Sequence, residues 1–374
     1  MGERFEAEVG PVAHGGHCVV RVQDSGEDAG ETRVVFTRHA LPGERVVVQI
    51  TEGTEGDRFW RGDVVEVLEA SPDRVEAPCP YAGPGLCGGC DFQHVALPAQ
   101  RELKASVVRE QLSRLAGLDL PVRVEPVAGD LPENLAGLRW RTRMQYVALP
   151  QGRRGLHEHR SRTVVEVDDC RIAHPRARVL GEPGPPLLVE TVHEHDFRVH
   201  AEGFWQVHPG AASVLVDTVL EMLAPQTGEK VLDLYAGVGL FARFLAEAVG
   251  PAGRVVAVEG ERAACDDAVV NLTGFARAKV ECGPVERVLA TAYDEPFDLV
   301  VLDPPREGAR RAVVEQVVDR APRAVAYVAC DPAALARDIA IFAEHGYLLN
   351  SLRAFDLFPM THHVECVVLL KSSR

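Results

Sequence analysis

A chain of 374 residues with 46% hydrophobic and 25% charged side chains has room for two or three folded cores and the balance of a globular protein. No apolar run approaches the roughly 20 residues that span a bilayer, and the start, MGERFEAEVG, lacks the basic-then-apolar order of a secretory leader, so a cytoplasmic protein with no membrane or protein partner is expected. The formal net charge of −15 excludes adhesion to nucleic acid through bulk charge and leaves only a local basic strip for that purpose.

Residues 1–70 hold five valine-rich segments, FEAEVGPV, HCVVRVQ, TRVVFTR, ERVVVQITE and RFWRGDVVEVLEA, with LPGE as a turn. Five short strands in that length predict a small closed barrel of the oligonucleotide-binding type. Residues 71–98 are rich in proline and glycine and predict an irregular segment. Apolar positions at helical spacing predict a helix over 98–116. Strands are predicted at VRVEPV, RTRMQYVALP, TVVEV, PPLLVETV and FRVHAEGFWQV, giving a central β-rich domain over 71–200. From about 201 onward amphipathic helices alternate with the apolar strands KVLDLYA, RVVAVEG, AKVECG, FDLVVLDPP and AVAYVAC, and the chain closes with LLNSLRAFDLF and HHVECVVLLK. That alternation predicts an α/β domain over 201–374 with a doubly wound, mostly parallel sheet.

Strand VLDLY runs into AGVG and then a helix. Gly237 and Gly239 let the backbone turn sharply and approach a ligand with no side chain in the way. The next strand ends in Glu259, an acceptor for the two ribose hydroxyls of an adenosine. The run Gly237-Val238-Gly239-Leu240-Phe241-Ala242 also fits a dinucleotide fingerprint, so a nicotinamide-dependent dehydrogenase is a rival reading. Asp233, inside the first strand, favours S-adenosylmethionine, whose methionine end is cationic, over a pyrophosphate that a carboxylate would repel. The fourth strand ends in Asp303-Pro304-Pro305-Arg306, and its loop opens on the same crevice because ligands bind beyond the carboxyl ends of parallel strands.

The fifth strand ends in Cys330, at the rim of that crevice and near a helix N-terminus. The helix dipole predicts a lowered thiol pKa, and the thiolate is the reactive form. Glu365 opens an apolar strand near the C-terminus, where partial burial predicts a raised carboxyl pKa suited to a general base. Cys79, Cys87 and Cys90 cluster in the irregular segment, with Cys170 as a distant fourth. Four thiolates suit an iron–sulfur cluster or zinc, and the lack of two CxxC pairs favours iron–sulfur. An odd total of nine cysteines argues against a disulfide framework. The densest basic stretch runs through Arg139, Arg141, Arg143, Arg153, Arg154, Arg160 and Arg162, the candidate strip for RNA, and Trp140 and Phe204 are candidates for stacking on an unpaired base.

Taken together these segments resemble the uridine-5 RNA methyltransferases, which act on ribosomal or transfer RNA and carry an N-terminal TRAM barrel. The resemblance covers nearly the whole chain. VGPVAHGGHCVVRV and ALPGERV are similar to the barrel, WRTRMQY to an arginine-containing strand, and FWQVHPG to a segment whose glutamine, here Gln206, meets the cofactor. DLYAGVGLF, Glu259, DPPREG, YVACDPAALARD and HVECVVLL follow in the family's order. The resemblance implies a class I, Rossmann-like methyltransferase fold preceded by the TRAM barrel and a central β-rich domain carrying a metal cluster. It implies RNA as partner and S-adenosylmethionine as cofactor, held by Gln206, Asp233, Tyr235, Gly237, Gly239, Glu259 and Asp303. It implies a 4Fe–4S cluster on Cys79, Cys87, Cys90 and Cys170, with Cys330 as nucleophile, Glu365 as proton acceptor and Asp303 as an active-site contact. Asparagine is common in the family where this chain has His208, Leu240 and Asp331, and an aspartate facing adenine is common near Pro284.

The chemistry explains why a thiol belongs there. Carbon 5 of uracil is too weak a nucleophile to attack a methyl sulfonium until a thiolate adds at carbon 6. Two further classes share parts of the pattern. A methyltransferase acting on an exocyclic amine would use a loop like DPPR and need no thiol, and a non-catalytic RNA-binding protein would rely on the barrel and the arginine strand alone.

Overall fold

A computed structural model describes residues 2–23, 32–54 and 56–373. In chain order it begins with β1 (Arg4–Val12), β2 (Cys18–Gln23), β3 (Thr32–Arg38), β4 (Arg45–Glu52), β5 (Trp60–Glu69), α1 (Leu97–Ala116) and β6 (Val124–Pro126). Short strands follow: β7 (Arg141–Met144), β8 (Val147–Ala148), β9 (Arg154–His157), β10 (Val164–Glu166), β11 (Ala173–Val179), β12 (Leu187–Val192) and β13 (His195–His200). The remainder alternates: α2 (Ala211–Leu223), β14 (Lys230–Leu234), α3 (Leu240–Val249), β15 (Arg254–Glu259), α4 (Arg262–Asn271), β16 (Ala278–Cys282), α5 (Val285–Thr291), β17 (Leu299–Leu302), α6 (Arg310–Asp319), β18 (Ala324–Ala329), α7 (Pro332–Glu344), β19 (Tyr347–Asp356) and β20 (Glu365–Ser372). No helix among the described residues is long and apolar enough to cross a membrane.

The chain divides into two compact units. The first takes the chain up to Val107, Leu131–Val179 and Phe358–His363. Strands β1 to β5 close into a barrel in the order β1-β2-β3-β5-β4. Alternation along these strands turns Val9, Val20, Val35, Val46, Val48, Ile50 and Val64 inward, each at most 5% exposed. The irregular segment and β7 to β11 complete this unit as two small sheets, β10-β9-β8 and β11-β7. Residues 358–363 are bound here by backbone bonds from Asp91 and Phe92 to Met360 O, both 2.9 Å, and by the His362 ring on Asp91 at 2.6 Å.

The second unit takes Val108–Asp130, Leu180–Leu357 and the chain from Val364. Its core is an eight-stranded sheet in the order β16-β15-β14-β17-β18-β20-β19-β6. The first five of these run parallel, as near-continuous apolar runs predict; β18 is AVAYVA, buried at every position. The last strand, β20, lies antiparallel between β18 and β19. The predicted strand VRVEPV shrinks to β6, which pairs in parallel with β19 at the sheet edge, where Arg353 grips Glu125 at 2.8 and 3.0 Å. FRVHAEGFWQV is a strand only as far as His200, and the hairpin of β12 and β13 packs on α4.

One disulfide, Cys265–Cys282, joins α4 to the end of β16, a pairing that the sequence reading did not single out. Its partners sit at the ends of elements that the parallel pairing of β15 with β16 brings side by side.

Candidate active site

The carboxyl ends of β14, β15, β17 and β18 form the crevice, and the sheet reverses its order between β14 and β17, the place where doubly wound sheets take ligands. Gly237 has φ +54°, and a Cβ built there would reach into open space, so a ligand can approach the bare backbone. Glu259 takes the Gly237 amide at 2.8 Å on one carboxylate oxygen and the Glu261 amide at 2.7 Å on the other, leaving a lone pair on each for a hydroxyl. Asp233 is fully buried, and neither of its oxygens has a full hydrogen-bond partner, only the Ala242 amide lying toward them. Burial pushes its carboxyl up to about 8, with Asp303 and Glu259 adding repulsion. A buried carboxyl lacking a partner is costly alone and suits a cationic ligand. These three features fit an adenosyl sulfonium. Tyr235 sits at φ +64°, uncommon for an aromatic residue and a form of strain that clusters at ligand sites. Asn271 braces the loop: its amide donates to Val238 O at 2.9 Å and to Arg198 O at 2.9 Å.

Cys330 lies one residue beyond β18, and Glu365 opens β20; Ala329 pairs with Cys366, so the thiol and the carboxyl stand at adjacent ends of neighbouring strands. Asp303 follows β17, its amide 3.2 Å from Leu234 O. Glu365 is 5% exposed, and burial pushes it well above the usual carboxylate range, with Asp303 adding to the rise and the Arg306 guanidinium opposing it. Asp303 keeps some exposed surface, yet protein atoms crowd its carboxyl and, with Glu259, push it up to about 7. The structure therefore brings Asp303, Cys330 and Glu365 to one place, with the exposed Arg306 beside them. Arg306 was visible in DPPREG but was not assigned a role.

The thiol departs from expectation. Burial, then the negative charge of Glu365, pushes Cys330 up to about 12 rather than down, with Arg306 opposing. The helix beyond it does not serve the sulfur, because Asp331 caps it, accepting the Ala333 and Ala334 amides at 3.0 and 2.8 Å.

Gln206 is half-buried in the irregular segment between β13 and α2, and Phe204 nearby is 63% exposed. Trp140 corrects the reading of a stacking residue: it is 1% exposed, edge-to-face with Phe358, and belongs to the core. Arg139 is likewise occupied, holding both oxygens of Asp169 at 2.6 Å and the Cys170 carbonyl at 3.1 Å. Arg153 pairs with Glu166 at 2.6 Å, Arg160 with Glu52 at 3.2 Å, and Arg154 stacks over Tyr146. Arg141 donates to the Arg143 carbonyl at 3.1 Å. Much of the basic stretch is thus engaged within the fold.

Cys79, Cys87, Cys90 and Cys170 line one cavity of about 220 Å³, together with Arg141 and Tyr81. Burial pushes the Cys87, Cys90 and Cys170 thiols up, and neighbouring thiols add to the rise. The Gly89 amide points at Cys87 Sγ and the Gln93 side chain at Cys90 Sγ, each at 3.4 Å. Among the described residues no three His, Cys, Asp or Glu side chains stand ready-made as a metal-binding group. Four thiols around one cavity are a donor set of the kind that iron–sulfur clusters use.

Family models agree with this layout. Residues 1–65 match the TRAM domain, 208–327 the methyltransferase small domain and 289–373 the tRNA (uracil-5-)-methyltransferase family. An uncharacterized RNA methyltransferase of Streptomyces avermitilis is 46% identical, over 99% of each chain. Another from Streptomyces coelicolor is 45% identical, over 99% of this chain and 93% of its own. Among solved structures, the fold is similar to that of Pyrococcus abyssi tRNA (uracil-54, C5)-methyltransferase in complex with S-adenosyl-L-homocysteine, with TM-score 0.70, 20% identity and coverage of 98% of this chain and 100% of that one. The chain is a class I, S-adenosylmethionine-dependent methyltransferase with an N-terminal TRAM barrel, and it belongs to the uracil-5 family of RNA methyltransferases.

Proposed function

We propose that this enzyme methylates carbon 5 of a uridine in ribosomal or transfer RNA through a covalent bond between Cys330 and carbon 6 of the ring. The observation that carries the reading is the convergence of one thiol, one buried carboxyl and one aspartate at the carboxyl ends of β17, β18 and β20's start. The bound cofactor supplies an electrophilic methyl on a cationic sulfur. Asp233 would face that charge, Glu259 would take the ribose hydroxyls, and Gly237, Gly239, Tyr235 and Gln206 would complete the cradle.

In the free protein the Cys330 thiol holds its proton. Asp303, pushed to about 7, is the neighbour able to take it near neutral pH, and Arg306 favours the resulting thiolate. The Sγ–C6 bond forms as the C5=C6 electrons move onto the ring carbonyl. Carbon 5 then attacks the methyl carbon, and the carbon–sulfur bond breaks. The Glu365 carboxylate removes the surplus proton from carbon 5, the Sγ–C6 bond breaks, and the double bond returns. Its raised pKa makes Glu365 a stronger base than a surface carboxylate. A uridine must leave its helix or lie unpaired to reach Cys330, and exposed Phe204 is a stacking surface for it. We further assign Cys79, Cys87, Cys90 and Cys170 as ligands of a 4Fe–4S cluster, supported by their shared cavity.

RNA containing 5-fluorouridine places fluorine where Glu365 needs a proton, so wild-type protein should stall as a denaturation-resistant adduct. Cys330→Ala should give no adduct and no methylation. Glu365→Gln should accumulate adduct on ordinary RNA, with turnover down about 10²- to 10⁴-fold. Normal methylation by Cys330→Ala would end the proposal.

A further inference from the structure

We infer that Asp338 is a positioning residue for the reaction, a buried carboxylate that locks the loop bearing Asp303 and Arg306 to the strand and helix flanking Cys330. Helix α6 starts at Ala309 with no side-chain cap of its own. Its first amides are instead taken from α7: Asp338 Oδ2 accepts Ala309 N at 2.7 Å and Arg310 N at 3.3 Å. The Tyr327 hydroxyl donates to the same oxygen at 2.6 Å, and Ala309 N lies 3.0 Å from the Tyr327 oxygen. Asp338 is 3% exposed and Tyr327 fully buried.

One oxygen thus collects three donors from two separate elements. The loop from Asp303 to Ala309 is held at its start by the bond from Asp303 N to Leu234 O, and at its end by Asp338. Between them Pro304 and Pro305 stiffen it, and a Gly308 N to Pro305 O bond of 2.8 Å closes the turn. Tyr327 stands three residues before Cys330 on β18, and α7 begins two residues after it. Gly308 shows how closely the parts are fitted: it has φ +81°, and a Cβ there would meet Asp338 Oδ2 at 2.6 Å. Only glycine lets the loop backbone reach the carboxylate.

The chemistry needs this register. Arg306 and Asp303 act on the Cys330 thiol through charge, which depends on separation, and a misplacement of about 1 Å can cost about 100-fold in rate. Asp338 makes no hydrogen bond to the thiol or to the cradle residues and reaches Tyr235 through charge alone, so its loss should disturb cofactor binding little while the reacting groups drift apart.

The inference rests on the assignment of Cys330 and the 303–306 loop to the reaction, and the test separates the two. Asp338→Ala should bind S-adenosylhomocysteine within about 2-fold of wild type, keep a similar KM for RNA, and lose kcat and the rate of 5-fluorouridine adduct formation by about 10- to 100-fold. Asp338→Asn keeps an acceptor oxygen for all three donors and should recover most of that loss. A folded Asp338→Ala enzyme with wild-type kcat overturns the inference. If that variant does not fold, Tyr327→Phe takes its place: a fall in kcat of about 3- to 10-fold at unchanged S-adenosylhomocysteine affinity supports the inference, and wild-type kcat overturns it. If wild-type protein itself forms no adduct, the assignment of the reaction fails instead.

Discussion

At the scale of single residues the site is a set of acids held away from their ordinary behaviour. Burial raises the carboxyls of Asp233, Asp303 and Glu365 above their ordinary range, Asp233 to about 8 and Asp303 to about 7, so Asp233 is mostly protonated and Asp303 divided between its two forms at neutral pH. Their folded pKa values lie above the unfolded ones, so this contribution to stability is complete at low pH and is lost as pH rises through about 7 to 8. A sulfonium ligand reverses the preference, because a cation beside Asp233 favours the carboxylate. S-adenosylmethionine affinity should therefore rise from about pH 6 to about pH 9, with proton release on binding near neutrality. Calorimetry in buffers of different ionisation enthalpy measures both. Asp233→Asn should flatten the profile; a variant that keeps the full slope would remove Asp233 from that role.

At the scale of elements, the barrel strands and the alternating C-terminal half were legible because each carries its own period, and Gly237, Glu259, Asp303 and Cys330 were legible because strand ends face one crevice. What escaped depends on partners distant in sequence. Trp140 sits among arginines and reads as an exposed stacking residue, yet the burial that decides its role comes partly from Phe358. The arginine strip reads as free, but Arg160 meets Glu52 from 108 positions away and Arg139 meets Asp169 from 30. Asp331 looked incidental beside the nucleophile until it proved to hold the helix amides. The Cys265–Cys282 bond was equally invisible, since it needs β15 and β16 to pair first. It closes a loop with a sequence separation of 17, for which the chain-entropy model gives about 3 kcal/mol. Cys282→Ser should lower the urea midpoint accordingly under non-reducing conditions, and reductant should bring wild type to the same value. Coincident midpoints without reductant would show that the bond adds nothing.

At the scale of the whole molecule, net charge −15 and an RNA substrate are reconciled by placing recognition in local surfaces rather than in bulk charge. The four-cysteine cavity makes a claim about the composition of the intact protein. Anaerobically purified enzyme should contain about four iron atoms and as many acid-labile sulfides per chain, and Cys170→Ala should lose them. Protein that is folded and active with neither iron nor sulfide would dismiss the cluster.

The antiparallel placement of β20 has a consequence for synthesis. This strand is translated after β18 and β19 yet lies between them. Until it arrives, the two cannot be bridged, and each shows a bare line of backbone donors and acceptors to the nascent chain's surroundings. Glu365 is its first residue. Under the proposed chemistry, a folding intermediate in which β20 is not yet seated would hold Cys330 without Glu365 beside it, and the two would meet only when the gap in the sheet is filled.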